Sequence, residues 1–235
     1  MTNKRIAILQ SNYIPWKGYF DIINSVDEFI IYDEMQYTKN DWRNRNKIKT
    51  ANGKIWLTIP VETKGRLSSD KKISEVKITD KNWMKKHWKS IQLAYSKAPF
   101  FKDYKDIFEE LYLTCKEEYL SKINYAFILK INEILGIKTK ISYDVDYGLI
   151  EGKTERLIDL CQKTNATEYL SGPSAKNYIE EDLFKKAGIN LLWKDYSNYK
   201  EYPQLYPPFE HTVSVLDLIF NTGKDAIKYI RNKNE

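Results

Sequence analysis

Residues 5–33 read RIAILQSNYIPWKGYFDIINSVDEFIIYD. Two short runs, RIAILQ at 5–10 and EFIIYD at 28–33, are apolar and rich in β-forming residues. They read as buried strands flanking a helix at about 18–25. A strand, a helix and a strand at this spacing form a crossover unit, which implies a parallel sheet. Between the first strand and the helix lies QSNYIPWKGYF, residues 10–20. Turns of this kind are where open α/β sheets receive ligands. This one is crowded with aromatic rings rather than glycines.

The pattern extends outward in both halves of the chain. Residues 37–54 are polar and basic, and Asn52-Gly53 is a strong turn signal. NRNKIKT and KIWLTIPV on either side are expected to pair as a hairpin, with Pro60 closing the second strand. Residues 62–72 read as a charged loop, and SEVKIT (74–79) as a short strand. Asp80 is the expected cap of a helix running to Tyr95. One helical segment is expected from Phe101 to about Leu135, with Gly136 at its C-terminus. KISYDV follows as a strand. From residue 154 helices and strands alternate: TERLIDLCQKTN, ATEYLSG, EEDLFKKAG and INLLWKDY, with TVSVLDLIFNTG as a closing helix. His211 stands before that helix, in the region of its N-cap. The expected fold is α/β: one domain over 1–235, a mostly parallel, Rossmann-like sheet flanked by helices, with a helical insertion around 80–135.

The chain has 235 residues and a hydrophobic content of 42%, enough for a sizeable core. Its 18 tyrosines are in part a matter of composition, since Lys, Asn and Ile are abundant too. The net charge of +6 favours anionic ligands such as phosphates but falls short of a strongly basic nucleic-acid binder. Cys115 and Cys161 are far apart and have no partners at metal-ligand spacing. The start, MTNKRIAILQ, has no apolar run of signal-peptide length, and no window approaches 18 apolar residues. A cytoplasmic protein without a membrane span is expected.

Four places carry candidate chemistry. In the opening turn, Gln10, Asn12 and Tyr13 can hydrogen-bond a polar ligand, and Tyr13, Trp16 and Tyr19 offer faces for a base or a sugar. Gly18 would open the following helix, whose N-terminus attracts anions. After the second strand, Asp33 is a candidate base, with Gln36 and Tyr37 beside it. In WRNRNK (42–47), an extended chain puts Arg43, Arg45 and Lys47 on one face and Asn44 and Asn46 on the other. Such a basic comb suits a diphosphate or a carboxylate, and with Trp42 it also suits nucleic acid. In NWMKKHWKSIQLAY, His87 lies beside the apolar stripe of Met84, Trp88, Ile91 and Tyr95, where it is either a base or a structural histidine. Ser171 and Gly172 form a further strand-to-helix turn, which would face the first if both strands run parallel in one sheet. No GxGxxG, Walker, GxSxG, HExxH or CxxC pattern is present, so the sequence names no cofactor and no metal.

Together these stretches resemble the WbqC-like proteins of bacteria. The likeness rests on QSNYIPWKGYFDII, on D-E-x-Q-Y (33–37), WRNRN-x-I (42–48) and WLTIPV (56–61). It continues through W-x-x-x-H-x-x-x-I-x-x-x-Y (83–95), YLSG (169–172), Y-P-Q (202–204) and S-V-L-D-L-I-F-N-x-G (214–223). One departure is Ser11, where the family pattern has proline after the glutamine; the exchange removes no chemical group. The resemblance implies an accessory protein of surface-polysaccharide (O-antigen) clusters that modifies a sugar nucleotide. One form would be N-acyl or aminoacyl transfer onto an amino sugar. The resemblance carries over no catalytic residue. From the residues, Arg43 and Arg45 would hold phosphates, Trp16 or Tyr13 would stack on a ring, and Asp33 or His87 would accept the proton. The partner expected is a small anionic substrate such as a sugar nucleotide. The alternative is a protein that binds nucleic acid or a nucleotide without turnover.

Overall fold

The computed structural model describes residues 3–62 and 71–230. Strand β1 (Arg5–Leu9) leads into α1 (Lys17–Asn24) and β2 (Glu28–Ile31), followed by a hairpin of β3 (Arg45–Thr50) and β4 (Gly53–Thr58). Three helices come next: α2 (Trp83–Tyr95), α3 (Phe101–Leu113) and α4 (Leu120–Leu135). The second half alternates through β5 (Lys140–Tyr143), α5 (Thr154–Lys163), β6 (Glu168–Ser171), α6 (Glu181–Lys186), β7 (Asn190–Trp193) and α7 (Val215–Thr222).

Five strands form one sheet in the order β5-β2-β1-β6-β7, and every neighbouring pair is parallel. The chain winds outward from β1 through β2 to β5, then returns to lay β6 and β7 on the other side. The winding therefore reverses between β1 and β6, where a doubly wound sheet opens a crevice. The pairing itself shows the opening. β1 matches β2 at four positions, but it matches β6 only at Arg5↔Glu168 and Ile6↔Tyr169. Beyond Ile6 the two strands part.

The apolar runs of β1 and β2 lack polar alternation because both faces of the sheet are covered. Ala7, Phe29 and Ile31 pack into a core with α1, α4, α7 and the hairpin. Ile6, Ile8 and Ile30 point the other way, against Leu157, Leu160 and Phe184 of α5 and α6. The hairpin is a separate two-stranded sheet turned at Asn52-Gly53, with Gly53 at φ +100°. It inserts Ile48 and Leu57 into the core. No helix among the described residues is long and apolar enough to cross a membrane.

The structure departs from the sequence reading in four places. SEVKIT joins neither sheet: Ile73–Glu75 is a 3-10 turn, while Lys77 and Ile78 make isolated bridges to Tyr119 and Val61. Its backbone lies between two partners, with Ile78 N–H donating to Glu118 O and Leu120 N–H to Val76 O. The same contacts hold 118–119 extended, so the helix expected over 101–135 divides into α3 and α4 although no Gly or Pro interrupts it. Asp80 accepts the N–H of Asn82 at 2.8 Å, but α2 begins only at Trp83, so Asp80 stands outside the cap position. The cap of α7 is Ser214, whose hydroxyl accepts from Leu216 N–H, and not His211. Most of the loop expected at 62–72 lies outside the described residues.

Candidate functional site

At the C-terminal ends of β1 and β6 the parted strands border a cavity of about 770 Å³. Ile8 and Leu9 of β1 and Tyr169 and Ser171 of β6 contribute to its walls, and Gln10, Asn12, Trp16, Arg43, Gly172 and Tyr196 come from the loops above. Arg43 is the residue the rest are arranged around. One of its terminal nitrogens donates to Asn12 Oδ1 and the other to Gln10 Oε1. Asp41 stands 3.6 Å away, and the guanidinium Nε–H is buried without a protein partner. Two neutral amides thus orient the cation, with Asp41 as its ion-pair partner at the longer distance of 3.6 Å. Among the described residues only two lining side chains carry a formal charge, Arg43 and Lys153, and both are cations. A cavity of one sign concentrates anions.

Aromatic rings build one wall. The Trp16 ring meets Tyr196 edge-on at 5.4 Å and Tyr199 at 5.8 Å. Gly18 is glycine because the Trp16 indole lies directly over it: a Cβ there would sit 2.3 Å from the ring. The start of α1, expected to receive an anion, is covered by this indole instead. The turn is held from two further sides. Asn46 Nδ2 donates to Ile14 O at 2.9 Å and Tyr13 O at 3.2 Å, and Val215 N–H donates to Pro15 O. Ile14 sits at φ +36°, a strained conformation for a β-branched residue, which persists only where neighbours enforce it. Asn46→Ala is therefore expected to destabilise the protein by about 1–3 kcal/mol, through two buried carbonyls left without a donor. Urea unfolding checks this, and a loss under about 0.5 kcal/mol would show that the turn holds itself.

The structure brings six of the predicted site residues to this cavity: Gln10, Asn12, Trp16, Arg43, Ser171 and Gly172. The two strand-to-helix turns do face each other, as parallel neighbours must. The other eight are placed elsewhere. Tyr19 is buried behind the turn and donates to Gln10 O at 3.0 Å. Tyr37 is buried, with its backbone paired to Lys71, and Gln36 bridges to Lys72; neither lines the cavity. Asn44 turns inward and donates to Ile59 O at 2.8 Å. Arg45 lies on the outer face of the hairpin, over Trp56. The basic comb is therefore split, with Arg43 in the cleft and Arg45 and Lys47 outside it.

His87 and Tyr13 meet in the core rather than at the cleft. Tyr13 Oη lies 2.9 Å from His87 Nδ1 and 2.6 Å from Tyr112 Oη, and His87 Nε2 lies 3.2 Å from Thr58 O. A backbone carbonyl only accepts, so Nε2 carries the proton and Nδ1 accepts from Tyr13, which in turn accepts from Tyr112. Burial lowers the His87 pKa from 6.5 to about 4, so the ring is neutral at pH 7. Because the folded value is below the unfolded one, the unfolded chain binds more protons between them. This contribution to stability is complete above pH 6.5 and is lost as pH falls towards 4, by up to about 3 kcal/mol. His87→Asn is expected to show a flatter dependence of stability on pH across that window. Parallel profiles for the two proteins would count against a neutral buried His87.

Asp33 is fully buried one strand away from the cleft. It accepts Ser11 N–H at 2.8 Å and Ser11 Oγ–H at 2.7 Å, and the Ser121 hydroxyl as well. Burial raises its pKa, opposed by these donors and by Arg43. A proline at position 11 would lack both the N–H and the hydroxyl that bind Asp33. Asp33 also borders a separate cavity of about 230 Å³ with Asp144, whose carboxyl burial pushes up to about 6. Among the described residues no group of three His, Cys, Asp or Glu side chains is placed to hold a metal ion.

Sequence reasoning did not select Tyr32, Lys153, Tyr178 or Tyr196, which also line the cleft. Tyr32 and Tyr196 follow β2 and β7 within three residues, so the rule that ligands sit beyond the carboxyl ends of parallel strands was the available signal. No solved structure matches the chain. The Mycobacterium tuberculosis (strain ATCC 25618 / H37Rv) protein named "Uncharacterized protein Rv1507c" is 50% identical over 228 residues, covering 97% of this chain and 98% of its own length. The sequence model of the WbqC-like protein family matches residues 10–229, a span that holds the aromatic turn, the amide-held arginine and the β6 end of the cleft. The chain belongs to the WbqC-like protein family.

Proposed function

We propose that the protein is a transferase acting on a nucleotide-linked sugar or amino sugar in bacterial surface-polysaccharide biosynthesis. The observation that carries this reading is the cavity of about 770 Å³ at the switch point of the sheet, whose charged lining side chains are both cations. Its size is that of a small-molecule site. Arg43, oriented by Gln10 and Asn12, would hold a phosphate oxygen, for which a fixed planar guanidinium is well suited. The Trp16 wall would take a sugar or base ring. In the form of the reaction favoured here, the sugar amine attacks an activated acyl or aminoacyl donor. A carbon–nitrogen bond forms, the bond to the leaving group breaks, and the amine proton leaves with that group or to water. Asp33 and His87 act as positioning residues: Asp33 fixes Ser11 between Gln10 and Asn12, and His87 fixes Tyr13 one residue further on.

A thermal-shift panel of sugar nucleotides, acyl-CoAs and aminoacyl adenylate analogues tests the reading. At a hundredfold excess over Kd, a sugar nucleotide should add about 2.7 kcal/mol of apparent stability. The competing reading, a nucleic-acid binder without turnover, draws on the exposed Trp42 and Trp56 with the half-buried Arg45 and Lys47. Stabilisation by oligonucleotides, with none by any sugar nucleotide, would decide for it.

A further inference from the structure

The outer face of the hairpin carries a second cationic and aromatic cluster. Trp42 and Trp56 lie 5.4 Å apart between ring centres, inclined at 39°. The Arg45 guanidinium carbon sits 4.3 Å from the centre of the Trp56 ring. Lys47 Nζ lies 4.8 Å from Trp56 and 5.9 Å from Trp42. The register explains the row, since Lys47 stands directly opposite Trp56 and Arg45 opposite Thr58. Both indoles are unusually open for their size, at 41% and 43% exposed. One ligand would meet flat apolar faces and positive charge here together.

This ladder adjoins the cleft. Trp42 belongs to both, and with Trp16, Asn12, Asn46 and Thr212 it also borders a smaller cavity of about 190 Å³. We propose that the ladder binds a second anionic ligand, the acceptor or donor partner of the substrate in the cleft: a ring compound bearing a phosphate or diphosphate. This rests on the transferase reading, because a group transfer needs two substrates side by side. The cleft supplies one oriented guanidinium, and the ladder supplies two further cations beside exposed rings. A polynucleotide fits less well. It needs cations along several successive phosphates, whereas this row has two, and the charge of Asp41 acts on Arg45.

Calorimetric titration of the full chain with inorganic pyrophosphate, at an ionic strength of about 0.15 M where exposed charges are screened beyond roughly 8 Å, tests the proposal. Two binding sites are expected. Arg43→Gln should remove one, and the Arg45→Gln/Lys47→Gln double variant the other, with melting temperatures close to that of the parent. UDP-N-acetylglucosamine added to Arg43→Gln should quench tryptophan fluorescence and bind about tenfold or more weakly once Trp56→Ala is also present, given the usual worth of ring stacking on an aromatic side chain. A single site that disappears with Arg43→Gln alone would overturn the ladder proposal and leave the transferase reading standing. A single site that disappears only in the double variant would overturn the role of the cleft. Tighter, steeply salt-dependent binding of a single-stranded oligonucleotide, lost in the double variant, would make the ladder a polynucleotide surface and overturn the proposal.

Discussion

Arg43→Gln is expected to weaken binding of a nucleotide-linked sugar by about 30-fold to more than 1,000-fold, the range that follows from removing one partner of a desolvated charge pair. The cleft has no ready substitute. Lys153 is its only other charged lining residue among those described, and Asp41, the carboxylate paired with Arg43, stands 3.6 Å from it outside the lining. Gln10 and Asn12 point their carbonyl oxygens at the guanidinium, so in the variant they would face the ligand as acceptors that repel phosphate. Arg43→Lys is expected to recover only part of the loss, because an ammonium cannot satisfy both amides and a phosphate with the geometry of a planar fork. Isothermal titration with the best stabiliser from the panel reads the effect. A loss below about threefold for Arg43→Gln would remove Arg43 from the site.

Asp33→Ala is expected to cost about 3–5 kcal/mol of stability, read by urea unfolding. The carboxylate is the common acceptor for three donors, Ser11 N–H, Ser11 Oγ–H and Ser121 Oγ–H, and its removal leaves them buried without partners at about 1–3 kcal/mol each before relaxation. The consequence reaches the cleft. Ser11 lies between the two amides that orient Arg43, and Asn124 links Ser11 Oγ at 3.0 Å to Arg43 O at 2.9 Å. Any variant that folds should therefore also bind ligand more weakly. A loss under 1 kcal/mol, or full stability loss with unchanged affinity, would separate Asp33 from the site. The second outcome would leave it a purely structural carboxylate.

The fold was legible because its determinants are local. RIAIL and EFII are apolar without alternation, which only a sheet covered on both faces accommodates. The repeated alternation after residue 154 extends the same logic. The hairpin followed from Asn52-Gly53 because that dipeptide meets a backbone requirement within the turn itself. The break between α3 and α4 was not legible. Nothing in TCKEEY forbids a helix; residues 118–119 are extended because residues 76–78 take the hydrogen bonds of this segment.

The site divides along the same line. The sequence by itself determined the inventory: an aromatic turn after the first strand, a basic segment with tryptophan, a second turn at Ser171-Gly172, and family membership. Those properties depend on residue type and order along the chain. The tertiary structure decided which of these residues meet. Arg43 and Arg45 are two positions apart, yet one enters the cleft and the other lies over Trp56, because β3 begins only at Arg45 and Arg43 stands in the loop before it. Asp33 and His87 carry the right groups for catalysis but are held in the core, where Ser11, Ser121, Tyr13 and Thr58 complete their hydrogen bonds. A side chain's chemistry is set by its identity, whereas its access to a ligand depends on which of its hydrogen-bonding groups the rest of the chain has already taken up.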